Sequence, residues 1–104
     1  MRRATILFLA SAFCSHAQAQ DPIARGRALT QENCARCHAV GPEGGSPLAA
    51  APPFRAIGRD YPIADLEEAL AEGILTAHPG MPEFAFEPDD VAAIIAYLES
   101  VQDN

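Results

Sequence analysis

Cys34, Cys37 and His38 bring two thiols and an imidazole into five consecutive positions of a 104-residue chain, within the stretch QENCARCHAV. Sulfur and imidazole donors at that spacing suit three kinds of chemistry. They can hold a structural zinc ion, cycle as a redox disulfide, or anchor a haem covalently with the imidazole on its iron. Zinc normally takes four ligands, and Cys34, Cys37, His38 and His78 reach that number. An imidazole directly behind the second thiol, however, cannot easily share one tetrahedral centre with both sulfurs, and a second compact ligand pair is missing. A thioredoxin-like switch belongs beside a βαβ pattern, and no convincing strand signature is present. C-x-x-C-H itself reads as c-type haem attachment. Both thiols then form thioethers with the vinyl groups, and the adjacent imidazole reaches the iron from the same side. The expected cofactor is one haem c, bound through Cys34 and Cys37 with His38 on the metal.

The composition is consistent with a large apolar group that the sequence does not encode. Arg2 and Arg3, the apolar run from Ala4 to Cys14 and the small-x-small Ala17-Gln18-Ala19 have the layout of a secretory signal peptide cut after Ala19. The apolar run is well short of the ~20 residues that span a bilayer, so a retained anchor is not expected. Cys14 follows the bulky Phe13, unlike a lipid-attachment cysteine, and leaves with the peptide. Residues 20–104 then form a single domain. The whole chain has a formal charge of −7; without Arg2 and Arg3, five arginines face fourteen acids and no lysine, giving −9. Such a surface argues against nucleic acid and anionic membranes, and for a charged partner that presents a basic patch. A domain this small often needs a staple, a metal or a cofactor.

Helices should position these groups. Asp21-Pro22 supplies an N-cap and a first-turn proline for a helix running to about Asn33. Residues 39–61, dense in proline and glycine, hold neither a 3.6 nor a 2.0 period and read as a long loop. A loop of that length in a compact domain must pack on something. A second helix is expected from Pro62 to about Gly73, with Leu66, Ala69 and Leu70 on one side and Glu67, Glu68 and Glu72 on the other. Residues 74–87 are irregular. The final helix starts at Pro88-Asp89-Asp90, where two acids meet the positive end of the dipole. Val91, Ile94, Ile95, Leu98 and Val101 recur along it at helical spacing. The outline is all-α: three main helices, with long loops wrapped around one covalently bound haem.

Taken together, these residues resemble the small single-haem class I c-type cytochromes of bacteria. The likeness runs over nearly all of residues 20–104. It rests on Cys34-x-x-Cys37-His38, on Gly26 eight residues before the first cysteine, on Gly80-Met81-Pro82-Glu83-Phe84, and on Ile94-Ile95-Ala96-Tyr97-Leu98. The resemblance implies that the first and last helices cross, with Gly26 against Tyr97. Thr30 departs from the pattern, since relatives often carry an aromatic four residues before the first cysteine.

The resemblance also implies a ligand set. Met81, the one methionine left after signal cleavage, stands 43 residues beyond His38, where the family places its second axial ligand. A thioether opposite histidine raises the reduction potential. Filling a core gap is the plain alternative for Met81, and His78, three residues upstream, is the competing ligand. The family holds the second nitrogen of its haem histidine on a proline carbonyl. Pro52 is the expected residue, with Phe54 two positions on as an apolar haem contact and Pro53 as the alternative. Arg59, in a segment with Arg55 and Tyr61, is the expected partner of a haem propionate; a solvated surface charge is the other reading.

The implied function is electron transfer in the periplasm, one electron on and one off, with no enzymatic step. Redox proteins of the cell envelope are the expected partners of a monomer that does not insert into the membrane after cleavage. Two other readings stand beside it. One is the haem subunit of a larger dehydrogenase or oxidase, and the other a haem enzyme or gas sensor with an open sixth iron position.

Overall fold

The computed structural model describes residues 9–12, 21–60, 62–73 and 80–103. Most of the expected signal peptide, including Arg2, Arg3, Cys14 and Ala17-Gln18-Ala19, lies outside the described residues, as do Tyr61, His78 and Pro79. The described elements are α1 (Pro22–Asn33), α2 (Phe54–Ile57), a 3₁₀ turn (Ile63–Asp65), α3 (Leu66–Glu72) and α4 (Pro88–Ser100). There is no strand among the described residues. Nor is any helix there long and apolar enough to cross a membrane.

Helix α1 begins where Asp21 Oδ1 accepts from the Ile23 amide at 3.4 Å, with Pro22 in the first turn. It is a polar helix that buries only Gly26 and Thr30, with Leu29 and Asn33 half-buried beside them. Its inward stripe is therefore narrow and made of small groups. Helix α4 supplies the bulk, burying Val91, Ala93, Ile94, Tyr97 and Leu98. The two pack so closely that a Cβ on Gly26 would lie 2.0 Å from the Ala93 carbonyl oxygen and 2.7 Å from Tyr97 Cβ. Thr30 fits under the crossing with no exposure, its hydroxyl donating to Arg27 O at 3.0 Å. That hydroxyl bond removes the desolvation penalty a buried Oγ would otherwise incur. Arg25 pairs with Asp90 at the rim of the same crossing.

The second expected helix is split. Its first turn is the 3₁₀ segment, and the α-helical part runs from Leu66 to Glu72 before Gly73 stops it at φ +68°. Leu66, Ala69 and Leu70 are half-buried and Glu67, Glu68 and Glu72 exposed, as the pattern anticipated. The region 39–61 is not wholly irregular: α2 lies inside it. One turn of four residues is too short to leave a period in the sequence, and its hydrogen-bonding partners come from elsewhere in the chain. Val40, Phe54, Ile57, Ile63, Ile94 and Leu98 form the core, which joins the segment after the cysteines to α4. The Tyr97 hydroxyl, from within α4, donates to Val40 O at 2.6 Å and ties that segment down from below.

Candidate functional site

Cys34 is the residue that ends α1. Its amide donates to Thr30 O at 2.8 Å, and its own carbonyl accepts from Cys37 N at 3.2 Å and His38 N at 3.0 Å. This single turn presents the two thiols and the imidazole together. Both thiols are free and half-buried, and Cys34 packs against the core cluster. Burial pushes the Cys34 thiol up to about 11. A thiol held protonated is a poor nucleophile for disulfide exchange, which weighs against a redox switch.

Beyond His38 the chain folds back over the motif. Leu48 N donates to Cys37 O at 3.1 Å, Ala39 N to Ser46 Oγ at 3.0 Å, and Phe54 N to Ala39 O at 2.9 Å. These bonds bring Pro52 and Phe54 onto His38. The imidazole Nδ1 stands 2.8 Å from Pro52 O, and the Phe54 ring lies 5.1 Å from the imidazole, tilted by 46°. A carbonyl only accepts, so Nδ1 carries the proton and Nε2 keeps its lone pair. An imidazole with Nε2 free and Nδ1 on a carbonyl is oriented and made more basic for a metal.

The site is therefore a pair of free thiols, one imidazole presenting Nε2, and apolar neighbours. Leu66, Leu70, Phe86 and Ile95 are only half-buried against the cluster that Cys34 joins. Among the described residues no three His, Cys, Asp or Glu side chains gather as a metal-binding group. This donor set fits a porphyrin attached by its edge and ligated through one nitrogen. A family model described as cytochrome C oxidase, cbb3-type, subunit III matches residues 21–98. The chain belongs to that family. It is a small c-type cytochrome domain, all-α, with haem c bound covalently and electron transfer as its role. No curated protein and no solved structure matches the chain. Cytochromes of the c type are exported from the cytoplasm.

In this cytochrome domain the residues assigned to the haem fall into separate groups. Cys34, Cys37, His38, Pro52 and Phe54 are brought together by the bonds given above. Arg59 is exposed and donates through Nη2 to Asp103 Oδ2 at 3.2 Å. Arg55 is less exposed; its Nη1 donates to Gly44 O at 2.7 Å, and its Nε stands 3.9 Å from the same carboxylate. Met81 is 39% exposed, in the extended segment after Gly80, whose φ is +89°. That segment is fixed to α3 by Phe86 N donating to Leu70 O at 2.9 Å, and the Phe84 and Phe86 rings stack at 5.3 Å. The sequence does not foretell the hydrogen bonds that join Ser46 to Ala39, the Tyr97 hydroxyl to Val40, and Gln102 to Phe54 and Gly58. Each is made by a single polar side chain, and no periodic pattern marks it.

Proposed function

We propose that this cytochrome carries one electron on a single haem c with His38 and Met81 as axial ligands, in the class I manner, in the periplasm after signal cleavage. The observation that carries the reading is the His38 bond to Pro52, which leaves Nε2 available beside two free thiols. Haem iron, when bound, supplies one reversible ferric–ferrous step. Cys34 and Cys37 anchor it, and His38 orients toward it along the direction that Pro52 sets. Met81 supplies a soft sulfur that favours the reduced state. Leu66, Leu70, Phe86 and Ile95, half-buried against the core cluster, would keep water away from a bound haem. With His38 and Met81 both holding the iron, no site would remain there for a substrate, and the domain would act as a carrier and not as an enzyme. Carbon monoxide added to the reduced protein tests this. Negligible binding is expected, and rapid, complete binding would instead support the gas-sensor or enzyme reading.

The family description favours a second reading, in which the same chemistry serves as the cytochrome subunit of a larger oxidase. Isolation at low salt distinguishes the two: a free carrier elutes alone as a monomer, and a subunit brings its complex with it. In either case the partner is a redox protein of the cell envelope. The acidic, lysine-free surface fits a partner with a basic patch. Docking should weaken progressively as ionic strength rises toward physiological values, where the screening length is about 8 Å. Affinity unchanged across that range would contradict electrostatic steering.

A further inference from the structure

The Gln102 carboxamide binds backbone groups at both ends of α2. Its Nε2 donates to Phe54 O at 2.7 Å and to Leu98 O at 2.8 Å, and its Oε1 accepts from Gly58 N at 2.7 Å. Phe54 and Gly58 are four residues apart, the pair that an α-helix joins directly by an N–H···O=C bond. Here the Gln102 amide bridges the two from the side. Two carbonyls face its nitrogen and one N–H faces its oxygen, so its orientation follows from its partners.

Gly58 adds an independent observation. Its φ of −65° and ψ of −8° suit any residue, so the backbone does not require glycine there. A Cβ at that position would stand 2.6 Å from Gln102 Oε1 and 3.2 Å from its Cδ. The absent side chain is what lets the amide in. Asp103 N donates to Arg55 O at 2.8 Å and extends the same attachment along α2.

A four-residue helix is far below the length at which a helix holds itself. What α2 carries is the surroundings of His38: the Phe54 ring against the imidazole, and Pro52, two residues earlier, on Nδ1. We propose that Gln102, seated over Gly58, is a positioning residue for His38. By fixing Phe54 and therefore Pro52, it sets the strength of the Nδ1–H···O=C bond and the basicity of Nε2. The inference rests on the reading of His38 as the iron ligand. Hydrogen bonds to a ligating histidine tune its donor strength and the metal's potential. A slacker bond makes a weaker donor, which favours the ferrous state.

The test compares holo-protein carrying Gln102→Ala or Gly58→Ala with the unsubstituted protein and with Arg25→Ala, whose side chain pairs with Asp90 at the α1–α4 rim. The readouts are reduction potential, the NMR resonance of the His38 Nδ1 proton, and melting temperature. Gln102→Ala and Gly58→Ala should both raise the ferrous-to-ferric ratio about threefold at a fixed ambient potential, roughly 28 mV for a one-electron couple. Both should also move the Nδ1 resonance, and Arg25→Ala should move neither. If the two variants melt earlier but keep the original potential and resonance, Gln102 is only structural and the proposal is overturned. Should Gln102→Ala not retain haem, Gly58→Ala, which keeps the glutamine, decides by the same two readouts. Failure of the ligand assignment would appear separately, as His38 ring resonances with no hyperfine shift in the ferric, unsubstituted protein.

Discussion

Gly26→Ala should lower the stability of this cytochrome by about 2 kcal/mol or more. Two effects oppose each other. Replacing glycine in a helix interior gains roughly 1 kcal/mol of helical propensity. Against that, the new methyl group would meet the Ala93 carbonyl oxygen at 2.0 Å, its carbon at 2.6 Å and Tyr97 Cβ at 2.7 Å. The nearest of these atoms belong to the α4 backbone, so no side-chain rotation relieves the contact and the helices must separate. Overpacking costs about 1–3 kcal/mol and occasionally more; a contact of 2.0 Å to a backbone oxygen belongs at the upper end, so the steric term wins. For a domain of this size the melting temperature should fall by about 8–16 °C. Thermal unfolding followed by circular dichroism measures this, with Gly41→Ala as the control. A Cβ at Gly41 would have no atom within 4 Å, and its backbone does not lie at positive φ. A Gly26→Ala protein as stable as the parent would contradict the α1–α4 crossing described above.

Met81→Ala should open the iron. The reduced variant is expected to bind carbon monoxide completely, to lose the weak far-red band of sulfur ligation in the ferric form, and to show a lower potential. Axial ligands move haem potentials over a span of about 0.8 V, so the fall should stand well outside the spread of surface variants. The exposure of the side chain makes this variant informative. Met81 is 39% exposed, so truncating it removes little core packing and its effect reads mainly on the metal. If Met81 merely fills space, the spectrum, the potential and the lack of carbon monoxide binding would all be preserved. His78 as the ligand would leave Met81→Ala without effect and the parent without the sulfur band, and His78→Ala would then be the variant that opens the iron to carbon monoxide.

The parts of the fold that are legible in the sequence are those with local causes. Helix α1 begins at Asp21-Pro22, where a side-chain cap and a fixed φ act within one turn, and α4 at Pro88-Asp89-Asp90, where a fixed φ and the dipole do. Gly73 stops α3 in the left-handed conformation that a glycine adopts without strain. The thiols and His38 are legible because their chemistry depends on adjacent positions. Pro52 is reached only through resemblance to a family, since nothing in PPF by itself says which carbonyl faces an imidazole fourteen residues back. Helix α2 and its attachment to Gln102 are not legible: the bond from Gly58 joins residues 44 apart, and a single turn has no period to detect. Arg59 shows the same limit. Its charge and neighbourhood suit a propionate, and its bond in the structure is to Asp103, 44 residues further on.

Covalent attachment of one haem through Cys34 and Cys37 underlies every functional claim, and an intact mass taken under denaturing conditions measures it directly. Protein exported and matured in a host that makes c-type cytochromes should show the mass of residues 20–104 plus one haem, resistant to acid extraction. A folded, exported chain with both thiols unmodified, or one that releases its haem on denaturation, would contradict it.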